Sequence, residues 1–338
     1  MRLRWLILAV IVTAPSGCDN VKWGGLKVDL AKPPTRAELA APKAADAGKA
    51  PEPVSLPEEP LLLAGARDGH RATLAVVGMV SGDSLLPLPG DPEDGRFASA
   101  VQDRLLPAGS AFALFSGGAR VGRLTAESSS LDGAFCPGRF TVTGVVELIP
   151  EAAAATRFLA LPLDVARDRT LGPFRSYRHN YDQRVASLTL ASAAITEVGA
   201  AWPPSVLEAR ADIQAFRLPE DDGPSIAATF LYRDRLAVAP PRTGAWSLFL
   251  MGREVSGRYR RSYVWYRPAD REGKAAPRFL DHLDLNGDGS SEVVLELFGA
   301  DARGYAALAR RAGRWTRTFQ DTCVSAGPDS AAVTPDGG

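Results

Sequence analysis

From residue 61 onward, apolar positions fall into short blocks that run together or alternate with polar ones, and glycine or proline closes most blocks. Leu74–Val80 (LAVVGMV) and Arg157–Leu163 (RFLALPL) are apolar runs of the kind buried strands show. Phe140–Leu148 (FTVTGVVEL) alternates, while Ala111–Phe115 and Arg120–Thr125 flank Ser116-Gly117-Gly118 and predict a hairpin. Phe97–Leu106 has the pattern of a short helix stopped by Pro107. Short strands with this punctuation predict a small barrel or sandwich over residues 61–166.

The period changes after a basic loop, Arg167–Arg178. Val185, Leu188, Ala191, Ile195 and Val198 recur three and four apart, which predicts an amphipathic helix. Asn180 with Gln183 suits its start, and Gly199 with Pro203-Pro204 ends it. Residues 167–204 therefore read as a loop and helix between two β-rich units.

The second unit, 205–327, carries an apparent duplication. Trp246-Ser247 through Val255-Ser256-Gly257 matches Trp315-Thr316 through Val324-Ser325-Ala326, with nine residues from Trp to Val in each. Leu218–Gly223 and Ile226–Tyr232 then stand where Asp284–Glu292 and Val293–Phe298 stand in the second copy. Repeats of this length suit propeller blades, but two blades cannot close a ring. The first unit or the helix is expected to complete the sheet. The expected fold is mainly β (α+β): two small β-rich units joined by one amphipathic helix, the second a partial propeller-like repeat pair. Residues 328–338 are expected to be a disordered tail.

The N-terminus changes the picture of where this fold resides. Arg2 and Arg4 precede an apolar core, Trp5–Ala14, whose ten residues are too few to span a bilayer. Pro15-Ser16-Gly17 then leads directly into Cys18. This layout resembles a bacterial lipoprotein signal, with Pro15 where such signals usually carry Leu. The resemblance implies a signal peptide over 1–17, lipid on Cys18, and membrane anchorage on the non-cytoplasmic side of the cell envelope. Residues 18–60 follow as the lipidated cysteine and a Pro/Ala-rich tether. Seven prolines lie between Pro33 and Pro60, so Gly24–Pro60 would stay extended, reaching on the order of 100 Å at about 3 Å per residue.

Acids and bases balance at 39 each, so no net field draws nucleic acid. Besides Cys18 the chain has only Cys136 and Cys323, and two cysteines in an oxidising compartment suggest one disulfide; two buried thiols are the alternative.

The stretch with the most specific chemistry is Asp281–Gly299 (DHLDLNGDGSSEVVLELFG). Asp284, Asn286 and Asp288 place side-chain oxygens at alternate positions. Gly289 allows a sharp turn, Ser290 offers a backbone carbonyl, and Glu292 adds a carboxylate. A hard cation wants six or more oxygens, and these residues supply most of a Ca²⁺ cage. An EF-hand needs a carboxylate three residues beyond Glu292, where Leu295 stands, and the flanks read as strands. In strand–loop–strand context DxNxDGxxE resembles the calcium loops of FG-GAP (integrin-type β-propeller) repeats, which usually carry Asp where Glu292 stands. A bare hairpin turn built on Asn286-Gly287-Asp288-Gly289 is the plainer reading.

Two further constellations remain. Arg258–Arg267 (RYRRSYVWYR) interleaves bases and aromatics, and period two puts Tyr259, Tyr263 and Trp265 on one face, as core or as an exposed shelf for polysaccharide or a protein partner. Asp281 and His282 suggest an acid–base pair, yet no Gly-x-Ser-x-Gly, HExxH, CxxC or phosphate loop accompanies them. The expectation is a non-catalytic envelope lipoprotein with a calcium-stabilised β head and a structural or binding role. A binding module using the aromatic/Arg face and an envelope hydrolase are the alternatives.

Overall fold

Two short strands, β1 (Asn20–Trp23) and β2 (Leu26–Asp29), pair antiparallel with Trp23 opposite Leu26. They fall where an unstructured tether was expected. The cause is local: Val21, Trp23, Leu26 and Val28 alternate with polar residues around Gly24-Gly25, a hairpin pattern. The computed structural model describes residues 20–23, 26–29, 54–167 and 172–324. The signal segment, Cys18, residues 30–53 of the tether and the tail 328–338 lie outside the described residues. Val54 onward forms a unit of its own, beginning before Leu61 because Val54 and Leu56 pack against its first core.

That core lies inside a barrel. Strands β3 (Leu61–Asp68), β4 (Arg71–Ser81), β5 (Ser84–Leu86), β6 (Ala111–Ser116), β7 (Ala119–Asp132), β8 (Arg139–Leu148) and β9 (Arg157–Pro162) are ordered β3-β9-β6-β7-β8-β4-β5. A β3–β4 pairing closes the ring of six, all antiparallel, and leaves β5 appended to β4. Alternate residues point inward: Leu61, Leu63, Val76, Phe112, Leu114, Phe158 and Ala160 fill the lumen. Their neighbours Leu62, Ala64, Val77, Phe115, Leu159 and Leu161 face outward onto a second core. Strands covered on both faces read as unbroken apolar runs, and this explains LAVVGMV and RFLALPL. Three glycines let the strands bend closely enough to close the ring: a Cβ on Gly65, Gly122 or Gly144 would lie 2.0–2.1 Å from a carbonyl oxygen of the neighbouring strand. The helix α1 (Gly95–Arg104), capped by Asp94, seals the lumen with Phe97 and Val101.

The outward face of the barrel meets one of two stacked four-stranded meanders. The first runs β10 (Arg210–Phe216), β11 (Ser225–Tyr232), β12 (Trp246–Val255), β13 (Arg258–Pro268). The second runs β14 (Ala276–Leu283), β15 (Glu292–Phe298), β16 (Arg303–Arg311), β17 (Arg314–Gln320). Between them Phe249, Met251, Tyr263 and Trp265 meet Phe279, Val293, Leu295 and Leu308. The opposite face of the second meander, with Leu283, Leu285, Val294 and Phe319, packs on the barrel exterior. The helix α2 (Tyr181–Glu197) covers the far face of the first meander. The layers are thus helix, meander, meander, barrel. Each meander is a four-stranded sheet of its own, so the expected partial sheet completed by the first unit or the helix is corrected: barrel and helix cover sheet faces and add no strand to either.

Local chemistry sets these elements. Asn180 and Gln183 form the reciprocal cap at the start of α2, each side chain accepting the other residue's backbone N–H at 2.9 Å. Its buried face is Ser187, Ala191, Ala194 and Ile195, small enough for close approach, while Val185 of the predicted stripe is exposed. The duplication is displaced by one strand from its sequence alignment. Trp246 opens β12, the third strand of its meander, whereas Trp315 lies on β17, the fourth. Strand order instead equates the turn Ser256-Gly257 with Ala312-Gly313. All four residues have positive φ, from 49 to 77°, as tight hairpins of this hand require. Tyr259 then corresponds to Trp315.

Candidate metal loop and the Asp281–His282 junction

The loop between β14 and β15 is anchored at both ends by the core, through Leu283 and Leu285 on one side and Val293 on the other. Its turn folds on the Asp284 carboxylate, which accepts the N–H groups of Gly287 at 2.6 Å, Asp288 at 3.1 Å and Gly289 at 2.8 Å. Gly287 and Gly289 both take positive φ there. Asn286 accepts from the Asp288 N–H, and Asp288 from the Ser290 N–H. Asn286 also donates its amide to Asp288 at 3.0 Å. Asn286 and Asp288 are exposed; Asp284 and Ser290 are half-buried.

Glu292 stands apart as the buried member, at 1% exposure. One oxygen accepts the Leu285 N–H at 2.9 Å. Burial, followed by the neighbouring Asp288 and Asp284 carboxylates, pushes its carboxyl up to about 7 against the pull of backbone N–H groups. The structure thus brings Asp284, Asn286, Asp288 and Ser290 into one turn with Glu292 close enough to feel two of the acids. It does not gather them on a point: among the described residues, no group of three or more His, Cys, Asp or Glu side chains is arranged to hold a metal.

The corresponding loop of the first meander, Leu218–Gly223, lacks the alternating acid and amide pattern of Asp284, Asn286 and Asp288. Its Glu220 reaches across and accepts the Ser291 N–H at 3.2 Å. Asp221, whose side chain is 1% exposed, binds Arg253 and Arg310, each at 3.0 Å. Burial opposes its charge, but the hydrogen bonds from both guanidinium groups outweigh it and hold the carboxyl below its usual range. Two arginines therefore occupy the neighbourhood of the acid in the loop that lacks the metal pattern.

Asp281 and His282 sit where the meander meets the barrel, next to a bulge in β14. Asp281 spends its oxygens on the N–H groups of Gly117, at 2.9 and 3.1 Å, and of His282, at 2.8 Å. Burial pushes its carboxyl up to about 7, with those N–H groups opposing. The His282 ring packs against Phe216 and against Gly118, where a Cβ would lie 2.4 Å from the ring. Among the described residues neither ring nitrogen has a hydrogen-bond partner, and burial holds the imidazole down to about 4. These two side chains make no nucleophile–base relay.

The aromatic segment divides between two faces. A bulge between Met251 and Gly252 shifts its register, so Tyr263 and Trp265 enter the inter-meander core while Tyr259 turns to α2 and accepts from Gln183 at 2.8 Å. Tyr263 and Trp265 are 6% and 4% exposed, so they form no shelf. Cys136 and Cys323 are joined, with Cα atoms 5.6 Å apart, and tie the end of the second meander to the β7–β8 loop of the barrel. Comparison of the chain with protein-family models, curated proteins and solved structures finds no match.

Proposed function

We propose that the chain is a lipid-anchored protein of the bacterial cell envelope, with a β head whose loop Asp284–Glu292 takes Ca²⁺ and a structural or binding role without catalysis. The supporting observation for the metal is the buried Glu292 carboxyl, raised by Asp284 and Asp288, against the contrast of Asp221, whose charge two arginines meet. Asp284, Asn286, Asp288, Glu292 and the Ser290 carbonyl would hold the ion. To do so the acids would draw together from their present bonds to loop N–H groups. Bound there, Ca²⁺ supplies positive charge to the acidic turn and pins β14 to β15, and its binding free energy adds to folding.

Support for the anchor is the signal layout ending at Cys18. Thermal unfolding in calcium and in chelator tests the metal. With calcium at about one hundred times Kd the protein gains about 2.7 kcal/mol, and Asp288→Ala removes most of that gain. A wild type that chelator shifts no further than it shifts the mutant ends the calcium reading. Membrane fractionation tests the anchor separately: Cys18→Ala moves the protein to the soluble fraction, and an unchanged membrane fraction overturns it.

A further inference from the structure

The apolar seam between barrel and second meander opens at one end into a cleft of about 280 Å³. Strand alternation explains the opening. Leu159 on β9, Ala64 on β3 and Ala75 on β4 share a rung of the barrel exterior and pack in one core with Leu280, Val294 and Tyr305 of the meander. Two residues along each strand the same faces carry Arg157, Ala66 and Thr73 on the barrel, and Arg278, Glu296 and Arg303 on the meander. Ala66 and Thr73 are too short to reach across. Charged side chains therefore bound a space where the apolar layers end.

The walls carry three guanidinium groups, Arg157, Arg278 and Arg303, and two carboxylates, Asp132 and Glu296. Arg278 is engaged: it donates to Glu296 and lies over the Phe298 ring, 4.8 Å from its centre. Arg303 lies over Phe135 at 4.5 Å, and that ring is itself stacked on Tyr305. Its guanidinium stands 3.6 Å from Asp132 and 3.8 Å from Glu296, beyond hydrogen-bond reach of both. Arg157 makes no hydrogen bond or ion pair among the described residues. Asp281 lies within its field, but the oxygens of Asp281 are taken by the N–H groups of Gly117 and His282. Both unengaged groups are open to the cleft: the Arg303 side chain is 35% exposed, and Arg157 is half-buried.

We propose that this cleft binds a small organic carboxylate with one negative charge, seated between Arg157 and Arg303. A planar guanidinium presents paired donors that match the two oxygens of a carboxylate. The charge count sets the valence: three cations against two acids leave one positive charge to be met. A dianion would bring a second, unmatched charge beside Asp132 and Glu296. Phe135, Leu280 and the methyl groups of Ala64 and Ala66 line the remainder and suit a short apolar body. The volume lies at the small end of ligand sites, which limits that body to about one ring.

Isothermal titration of the full chain with sodium benzoate at low ionic strength tests this. Benzyl alcohol is the neutral counterpart, and inorganic phosphate, chiefly a dianion at about pH 8, the doubly charged one. Benzoate binds saturably at one per chain, and both counterparts bind roughly tenfold more weakly or not at all. Arg157→Gln weakens benzoate by about tenfold, because it removes one of the two forks without breaking a hydrogen bond of the described chain. Ala66→Trp, at an exposed position on the wall, fills the cleft and abolishes binding. Arg314→Gln removes an equal charge at the far end of β16 from Arg303 and leaves benzoate affinity unchanged. All three variants are first shown to melt as the wild type does; if one of the two cleft variants does not, the other carries the test. Absence of saturable benzoate binding overturns the proposal, as does benzoate binding that neither folded cleft variant alters. An equal loss in Arg314→Gln overturns it too, as does alcohol or phosphate binding as tight as the benzoate's.

Discussion

Asp221 and Arg310 face each other across the two meanders, each carboxylate oxygen 3.0 Å from a different guanidinium nitrogen. Arg310 also lies over the Trp315 ring, 5.0 Å from its centre. A planar fork matched to a buried carboxylate is the strong form of an ion pair. Its position is informative: the β10–β11 loop uses fixed arginines where the β14–β15 loop collects acids.

Arg310→Met should therefore cost about 3 kcal/mol in urea unfolding, because it leaves a buried carboxylate with Arg253 alone. Asp221→Leu together with Arg310→Met should recover part of that loss, since no buried charge is then left short of a partner. Equal loss in the single and double variants would mean that the pair contributes only packing.

The Cys136–Cys323 bridge closes a loop spanning 187 residues of sequence separation and fastens Val324 into the inter-meander core. Reduction, or Cys136→Ser with Cys323→Ser, should lower stability by about 5 kcal/mol, mostly by freeing the unfolded chain. Thermal melts with and without a phosphine reductant measure it. A wild type that melts identically in both would show that the end of the second meander holds without its staple.

Acid titration isolates Asp281. Its carboxyl is raised to about 7 in the fold from an ordinary 3.8. A folded pKa above the unfolded one means the native state binds the extra proton. The stabilisation is complete below about pH 4 and is lost as pH rises through about 7, at up to about 1.4 kcal/mol per pH unit. Asp281→Asn keeps an oxygen for the Gly117 and His282 N–H groups and cannot ionise. The difference in unfolding free energy between wild type and Asp281→Asn should slope across pH 4–7 and flatten above it. A flat difference throughout would place the native carboxyl near its ordinary value.

Much of this architecture was legible because it is local. The cap of Asn180 and Gln183, the hairpin around Gly117 and the apolar runs of β4 and β9 each carry their own signal within a few residues. What escaped is set by register and by distance. The duplication was aligned on Trp246 and Trp315, but the repeating unit with structural meaning is the turn, Ser256-Gly257-Arg258-Tyr259 against Ala312-Gly313-Arg314-Trp315. That tetrapeptide signal was present and weaker to the eye than two tryptophans. Tyr259 changed faces because of a bulge in strand pairing, which no period-two count contains. The grip on Asp221 comes from Arg253 and Arg310, far along the chain, and sequence spacing says nothing of such pairs. Of the candidate site, the turn chemistry was visible, whereas the burial that singles out Glu292 appeared only with the fold.

A third loop shows how this protein fixes oxygen-rich turns with a cation from its own chain. The Lys274 side chain is 1% exposed, and its ammonium donates to Asp234 at 2.7 Å and to the carbonyls of Arg235, Ala237 and Ala239 at 2.9, 2.7 and 3.1 Å. Four oxygens around one compact charge tie the β11–β12 loop to the start of β14. Lys274→Met should cost about 4 kcal/mol, because Asp234 and the carbonyls lose their shared donor while staying buried. Lys274→Arg should fail to restore it, since a planar guanidinium cannot gather acceptors around a point as an ammonium does. Hydrogen exchange separates this from simple loss of packing: amides of residues 234–245 should lose protection in both variants before the barrel does. If Lys274→Arg protects that loop as well as the wild type, charge alone holds it and the geometry of the ammonium is irrelevant.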